Sequence, residues 1–180
     1  GPDHRIGGAN VKLTTKQLAQ CAVLTALALA LSYMEALLPL SLVIPLPGIK
    51  LGLANIVTVF ALCTMGVPQA FLILIARCFL GSLFAGNLNA LLFSLLGGVL
   101  ALVLEALLLR LRRLSIFGVS MGGAAAHNCG QVAAAMVSLG TVTPLAYLPL
   151  LLVVGLGTGA LTGCIVSLLL RAAEKLPLGA

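Results

Sequence analysis

Three side chains able to donate and accept hydrogen bonds crowd the segment GAAAHNCGQVAAA at residues 123–135: His127, Asn128 and Gln131. An imidazole and two amides are suited to orienting the polar edges of a small molecule, and the imidazole can also carry a charge. His127 and Gln131 are spaced i, i+4, and Asn128 and Gln131 i, i+3, so on a helix the three share one broad face. Their neighbours are alanine, glycine, valine and methionine. A bare amide or imidazole in hydrocarbon costs several kcal/mol unless it finds a partner. That face is therefore expected to meet another helix or a wet cavity, not lipid.

Other polar residues belong to the same problem. PGIKLGLAN puts Lys50 at the mouth of one apolar run and Asn55 inside it. ARCFLGSLFAGNLNALLFS carries Arg77 in mid-run, then Asn87 and Asn89 just before the next run, and Glu35 lies near the end of the first. Lys50, Asn87, Asn89 and Glu35 could ring one outward-facing pocket with His127, Asn128 and Gln131 at its floor. Lys50, Arg77 and His127 would offer positive charge there, and Asn55 and the other amides would orient polar edges. The expected ligand is a small anionic or polar-aromatic molecule. Plainer roles compete for each residue. Lys50 could be an interfacial lysine, Asn87 and Asn89 helix caps, and the His127 group a set of interhelical hydrogen bonds. Arg77 could pair with Glu105, but Glu105 could equally snorkel toward Arg110 or Arg112 and is left outside the candidate set.

Several chemistries lack their residues. Cys21, Cys63, Cys78, Cys129 and Cys164 are scattered without CxxC spacing. They read as small buried hydrophobes, and with one histidine beyond the opening residues they supply no metal-ligand set. No lysine follows a glycine, so there is no P-loop. Asp3 is the only aspartate, and Glu35, Glu105 and Glu174 are far apart, so neither a magnesium–diphosphate centre nor a Ser–His–Asp set can be assembled. No enzymatic activity and no cofactor are expected.

The elements that must hold these residues follow from composition. Of 180 residues, 61% are hydrophobic and 8% charged, with a mean hydropathy of +1.22. A soluble domain has about 25% charged residues, so this composition indicates an integral membrane protein. Six apolar segments run over 17–38, 51–65, 69–86, 88–109, 115–139 and 147–170, against the ~20 residues that a span needs. The second and third are short, and Gly66 and Pro68 between them favour a turn over one broken helix. With both termini cytoplasmic, Lys12, Lys16, Arg110, Arg112, Arg113, Arg171 and Lys175 all fall inside, as the positive-inside rule requires. The net charge of +6 is thus a topology signal and not a nucleic-acid surface. The expected fold is all-α, six transmembrane helices in a single membrane domain over 12–175, after a tag or leader at 1–11 expected to be disordered. Stripes of small residues (Ala22, Ala26, Ala30; Gly118, Gly122, Ala126, Gly130; Gly155, Gly159, Gly163) allow close helix approach.

The stretches PGIKLGLANIVTVFAL, ARCFLGSLFAGNLNALLFSLLGG and SIFGVSMGGAAAHNCGQ together resemble the Gx transporter family, also called the heptaprenyl diphosphate synthase component I family. Through it the chain looks like a relative of the S components of energy-coupling factor (ECF) transporters, over nearly its whole length. The resemblance implies six helices with both termini cytoplasmic, in a bacterial plasma membrane. It also implies an outer-face pocket for a vitamin-like or quinone/isoprenoid-precursor ligand. The loop PLSLVIPLPGIK would shield that pocket and bring Lys50 to its rim. Ala22, Ala26 and Ala30 would meet a transmembrane coupling subunit, energised by two cytosolic ATPases. The older family name implies instead a non-catalytic membrane partner of a polyprenyl diphosphate or quinone biosynthesis enzyme, since the aspartate-rich motifs of prenyl synthases are absent.

Overall fold

The structure, a computed structural model, describes residues 12–39, 42 and 50–176. The leader at 1–11 and most of the loop between the first two apolar runs lie outside the described residues. Among those described there are six α-helices and no strand: α1 (Thr15–Ala36), α2 (Asn55–Thr64), α3 (Val67–Ala85), α4 (Leu88–Arg110), α5 (Ile116–Leu139) and α6 (Leu148–Lys175). A 3-10 turn, Thr143–Tyr147, leads into α6.

Local chemistry sets most of the boundaries. Thr14 and Gln17 form a reciprocal capping box at the start of α1. Asn87 caps α4 by accepting from the Asn89 N–H at 2.7 Å, and Ser115 caps α5. Gly66, at φ 108°, makes the turn between α2 and α3, and Pro68 sits in the first turn of α3. Four helical stretches are long and apolar enough to cross a membrane: Thr15–Ala36, Val67–Ala85, Leu88–Arg110 and Thr143–Lys175. The chain is thus a membrane protein. α2 is shorter than the 51–65 segment suggested. Its 10 residues rise only about 15 Å, half of a ~30 Å hydrocarbon core. The helix begins late because Gly52 adopts φ 89° and the residues around it run as non-helical chain.

Two grooves fix which helix ends lie together. Lys16 of α1, Thr64 and Met65 at the end of α2, and Ala173 of α6 line one. Val67 and Phe71 of α3 and Arg110 of α4 line the other. The first turn of α1, the α2–α3 turn and the last turns of α4 and α6 therefore share one end of the bundle, where the basic residues gather. At the other end Ser138 of α5 donates to Asn89 of α4 at 2.8 Å.

The closest packing joins α5 to α4 on one side and α6 on the other. A Cβ on Gly130 would stand 2.5 Å from the Leu96 carbonyl oxygen of α4. One on Gly159 would stand 2.6 Å from Met121 Cα of α5, and one on Gly163 2.9 Å from Phe117 Cα. The α6 glycine stripe is a seam against α5, and Gly130 lets α5 touch the α4 backbone. α1 is peripheral. Only Cys21, Thr25, Ala28 and Glu35 of it are buried, while Ala22, Ala26 and Ala30 are exposed.

Candidate functional site

The site is organised around the irregular segment that precedes α2. Non-helical backbone in a membrane protein persists only where its N–H and C=O groups find protein partners or water, and here three helices supply them. Glu35, near the end of α1, accepts from the Gly52 N–H at 2.7 Å and the Leu53 N–H at 3.3 Å. These donors open the turn that becomes α2, in which Asn55 N–H donates to Gly52 O and Ile56 N–H to Leu53 O. A carboxylate at the start of a helix also suits the helix dipole. Gln131 of α5 grips Lys50. In the amide orientation that satisfies both its ends, its oxygen accepts from Lys50 N–H at 3.1 Å and from His127 Nε2 at 3.2 Å. Its NH₂ donates to Lys50 O at 3.0 Å.

Glycines make this crowding possible. A Cβ on Gly52 would lie 3.2 Å from His127 Nε2, and one on Gly97 of α4 would lie 2.7 Å from His127 Nδ1. The imidazole is wedged between the irregular segment and α4. Deeper in the bundle Asn55 Nδ2 donates to Glu105 Oε1 at 2.6 Å, and Gly123 of α5 leaves the space that the Glu105 carboxylate fills. Lys50 reaches α4 through Nζ, which donates to Ser94 Oγ at 3.4 Å. Arg77 is buried, and its Nη2 lies near Gly98 of α4.

The structure thus draws Glu35, Lys50, Asn55, His127 and Gln131 into one connected network, with Arg77 beside it. The other candidates stand apart. Asn128 points from α5 to α6, donating to the Leu151 carbonyl at 2.6 Å and packing on Gly155. Asn87 is occupied in capping, and Asn89 in its bond with Ser138. Glu105, left outside the candidate set, is fully buried and bonded to Asn55 rather than turned toward Arg110 or Arg112. Nothing in the sequence marks this partner, because Asn55 and Glu105 lie 50 positions apart. The cysteines also divide: Cys21 and Cys78 are buried, but Cys129 and Cys164 are exposed on the outside of the bundle.

A cavity of about 10 Å³ adjoins His127, lined by Leu51, Gly52, Asn55, Ala124, Thr158 and Thr162. That is room for about one water among polar neighbours. Among the described residues no cluster of three or more His, Cys, Asp or Glu side chains could hold a metal ion.

A family model described as heptaprenyl diphosphate synthase component I matches residues 24–169, from α1 through α6. No curated protein and no solved structure matches the chain.

Proposed function

Since the chain belongs to the heptaprenyl diphosphate synthase component I family, we propose that it is a non-catalytic, membrane-embedded subunit acting through a partner protein, a polyprenyl diphosphate or quinone biosynthesis enzyme. The observation that supports this most is how far the interior polar groups are engaged with one another. Gln131 with Lys50, Glu35 with Gly52 and Leu53, Asn55 with Glu105 and Asn128 with Leu151 bind helix to helix. Such a body is a scaffold with a lipid-facing surface. Its uncovered α1 face, carrying Ala22, Ala26 and Ala30, is the surface offered to the partner, since small residues permit the closest approach of another helix.

A second reading is favoured by specific observations: the ends of α1 and α6 lie together with the basic residues, and a buried guanidinium lies beside the network. In that reading both termini are cytoplasmic and the chain is the substrate-binding subunit of an ECF-type importer in a bacterial plasma membrane. The same alanine face then meets a transmembrane coupling subunit served by two cytosolic ATPases.

One experiment separates the two. The tagged chain is purified from native membranes under mild detergent and its stoichiometric partners are identified by mass spectrometry, alongside an Ala26→Leu variant that roughens the α1 face. Recovery of a prenyl synthase, lost in the variant, supports the first reading. Recovery of a coupling subunit with ATPases, lost in the variant, replaces it with the second. A wild-type chain that brings down neither class refutes both.

A further inference from the structure

Arg77 is the buried cation among the described polar groups that the network leaves without a hydrogen-bond partner. It is 9% exposed, and its Nε has no hydrogen-bond partner. The nearby buried carboxylate of Glu105 is close enough to feel its charge but makes no hydrogen bond to it. Glu105 gives Oε1 to Asn55, while its Oε2 has no partner either. Glu105 also lies seven residues beyond Gly98, the α4 residue against which Arg77 rests, about 10.5 Å further along the helix. Glu35, the other carboxylate in the region, accepts from two backbone N–H groups. A buried charge with unused donors is strongly unfavourable unless something outside the chain completes it.

A second cation shares the place. Lys50 Nζ meets α4 at Ser94, and the Arg77 guanidinium meets it at Gly98, where a Cβ would be 3.3 Å from Nη2. Ser94 and Gly98 are spaced i, i+4, so the two heads address one face of α4 at points of contact about 6 Å apart. Two oxygens on one carbon or phosphorus atom, each accepting at about 2.8 Å, can bridge heads at that spacing. Lys50 is only half-buried, so the pair is open at its Lys50 end.

We propose that Lys50 and Arg77 form a two-pronged site, seated on the Ser94–Gly98 face of α4, for the carboxylate or phosphate group of a small or lipid-like molecule. Ser94 positions the Lys50 ammonium, and Gly98 lets the guanidinium lie close to the helix. His127, wedged against Gly97, closes one side. The site does not depend on which partner protein the chain serves.

The test uses the full chain in phosphatidylcholine nanodiscs, with thermal unfolding followed by far-UV circular dichroism. The probes are inorganic phosphate and butyrate in solution and, separately, phosphatidic acid in the disc, each against chloride at matched ionic strength. The wild type is expected to gain Tm with at least one probe. A response to phosphate or butyrate identifies a soluble ligand, and a response to phosphatidic acid alone identifies a lipid headgroup. Arg77→Gln and Lys50→Gln should each weaken the response by about tenfold or more, as loss of a charge-assisted hydrogen bond implies. Arg77→Lys should keep part of it. Glu105→Gln, which removes a negative charge two turns away, should bind at least as tightly. Without probe, Arg77→Gln should be as stable as the wild type or more so, because it relieves an unpaired buried charge. No response of the wild type to any probe overturns the proposal. So does an Arg77→Gln chain that is less stable yet responds as the wild type does.

Discussion

The seam between α4 and α5 can be tested with a pair of glycine-to-alanine changes whose effects have opposite sign. At Gly130 an added Cβ would meet Leu96 O at 2.5 Å, Leu96 C at 2.7 Å and Gly97 Cα at 2.8 Å. All three are backbone atoms, so no rotamer change relieves the contact. Restoring an ordinary 3.4 Å contact to the carbonyl oxygen requires α4 and α5 to part by about 0.9 Å. A gap of about 0.5–1 Å forfeits a quarter to a half of each dispersion contact along the seam, and overpacking of this kind costs about 1–3 kcal/mol. Alanine returns about 1 kcal/mol through its better helix propensity. With no side chain able to yield, the overpacking cost belongs to the upper part of that range, about 2–3 kcal/mol, and the net expectation for Gly130→Ala is a loss of about 1–2 kcal/mol. Gly157 of α6 supplies the control, being exposed with nothing within 4 Å of the point where a Cβ would stand. Gly157→Ala should gain about 0.5–1 kcal/mol. At about 2–4 °C per kcal/mol, the two variants should bracket the wild type in a thermal unfolding curve. The chain contains no tryptophan, so far-UV circular dichroism in detergent is the appropriate assay. A Gly130→Ala protein that melts with Gly157→Ala, above the wild type, would refute the seam.

Two further outcomes follow from the same geometry. Glu35→Ala leaves the Gly52 and Leu53 N–H groups without acceptors, at about 1–3 kcal/mol each, whereas Glu35→Gln keeps one acceptor oxygen. The expected order of Tm is wild type, then Gln, then Ala, and equal melting of all three would show that the α1 carboxylate does not hold the irregular segment. Asn128→Ala should cost about 0.6–1.7 kcal/mol, the range for interhelical hydrogen bonds in membranes. Gly155→Ala should cost more in the wild type than in the Asn128→Ala background, because the added methyl collides with the Asn128 amide. A double-mutant cycle measures that coupling, and strict additivity would contradict the contact.

Much of the helical framework was legible because it rests on local signals. The segments at 88–109 and 115–139 differ by one residue at most from α4 and α5: Asn87 reads as a cap in the sequence, while Ser115, counted inside the apolar run, is shown to be a cap by the structure. The turn at Gly66 and Pro68 was equally plain. The start of α2 was not, because an apolar run does not say whether its backbone is helical, and Gly52 adopts a positive φ and lies against His127, a residue far along the chain. The polar residues were recognisable as misfits in an apolar chain, but their partners depend on long-range packing. His127 and Gln131 turn toward residues 50–52, while Asn128, on the neighbouring position of the same helix, turns toward α6. The angle of about 100° between successive residues separates their destinations. The role of Glu105 is hidden from the sequence for the same reason. Its environment is made by Asn55 and Gly123, one far before it in the chain and one on the next helix.

The narrow attachment of α1 has a mechanical consequence. Its buried residues Cys21, Thr25, Ala28 and Glu35 trace a single line along the helix, and the last of them clasps the turn just downstream of Lys50. A subunit that gripped the bare side of α1 and tilted it would work a lever about that line. The clasp would carry the motion into the ammonium group at the far end.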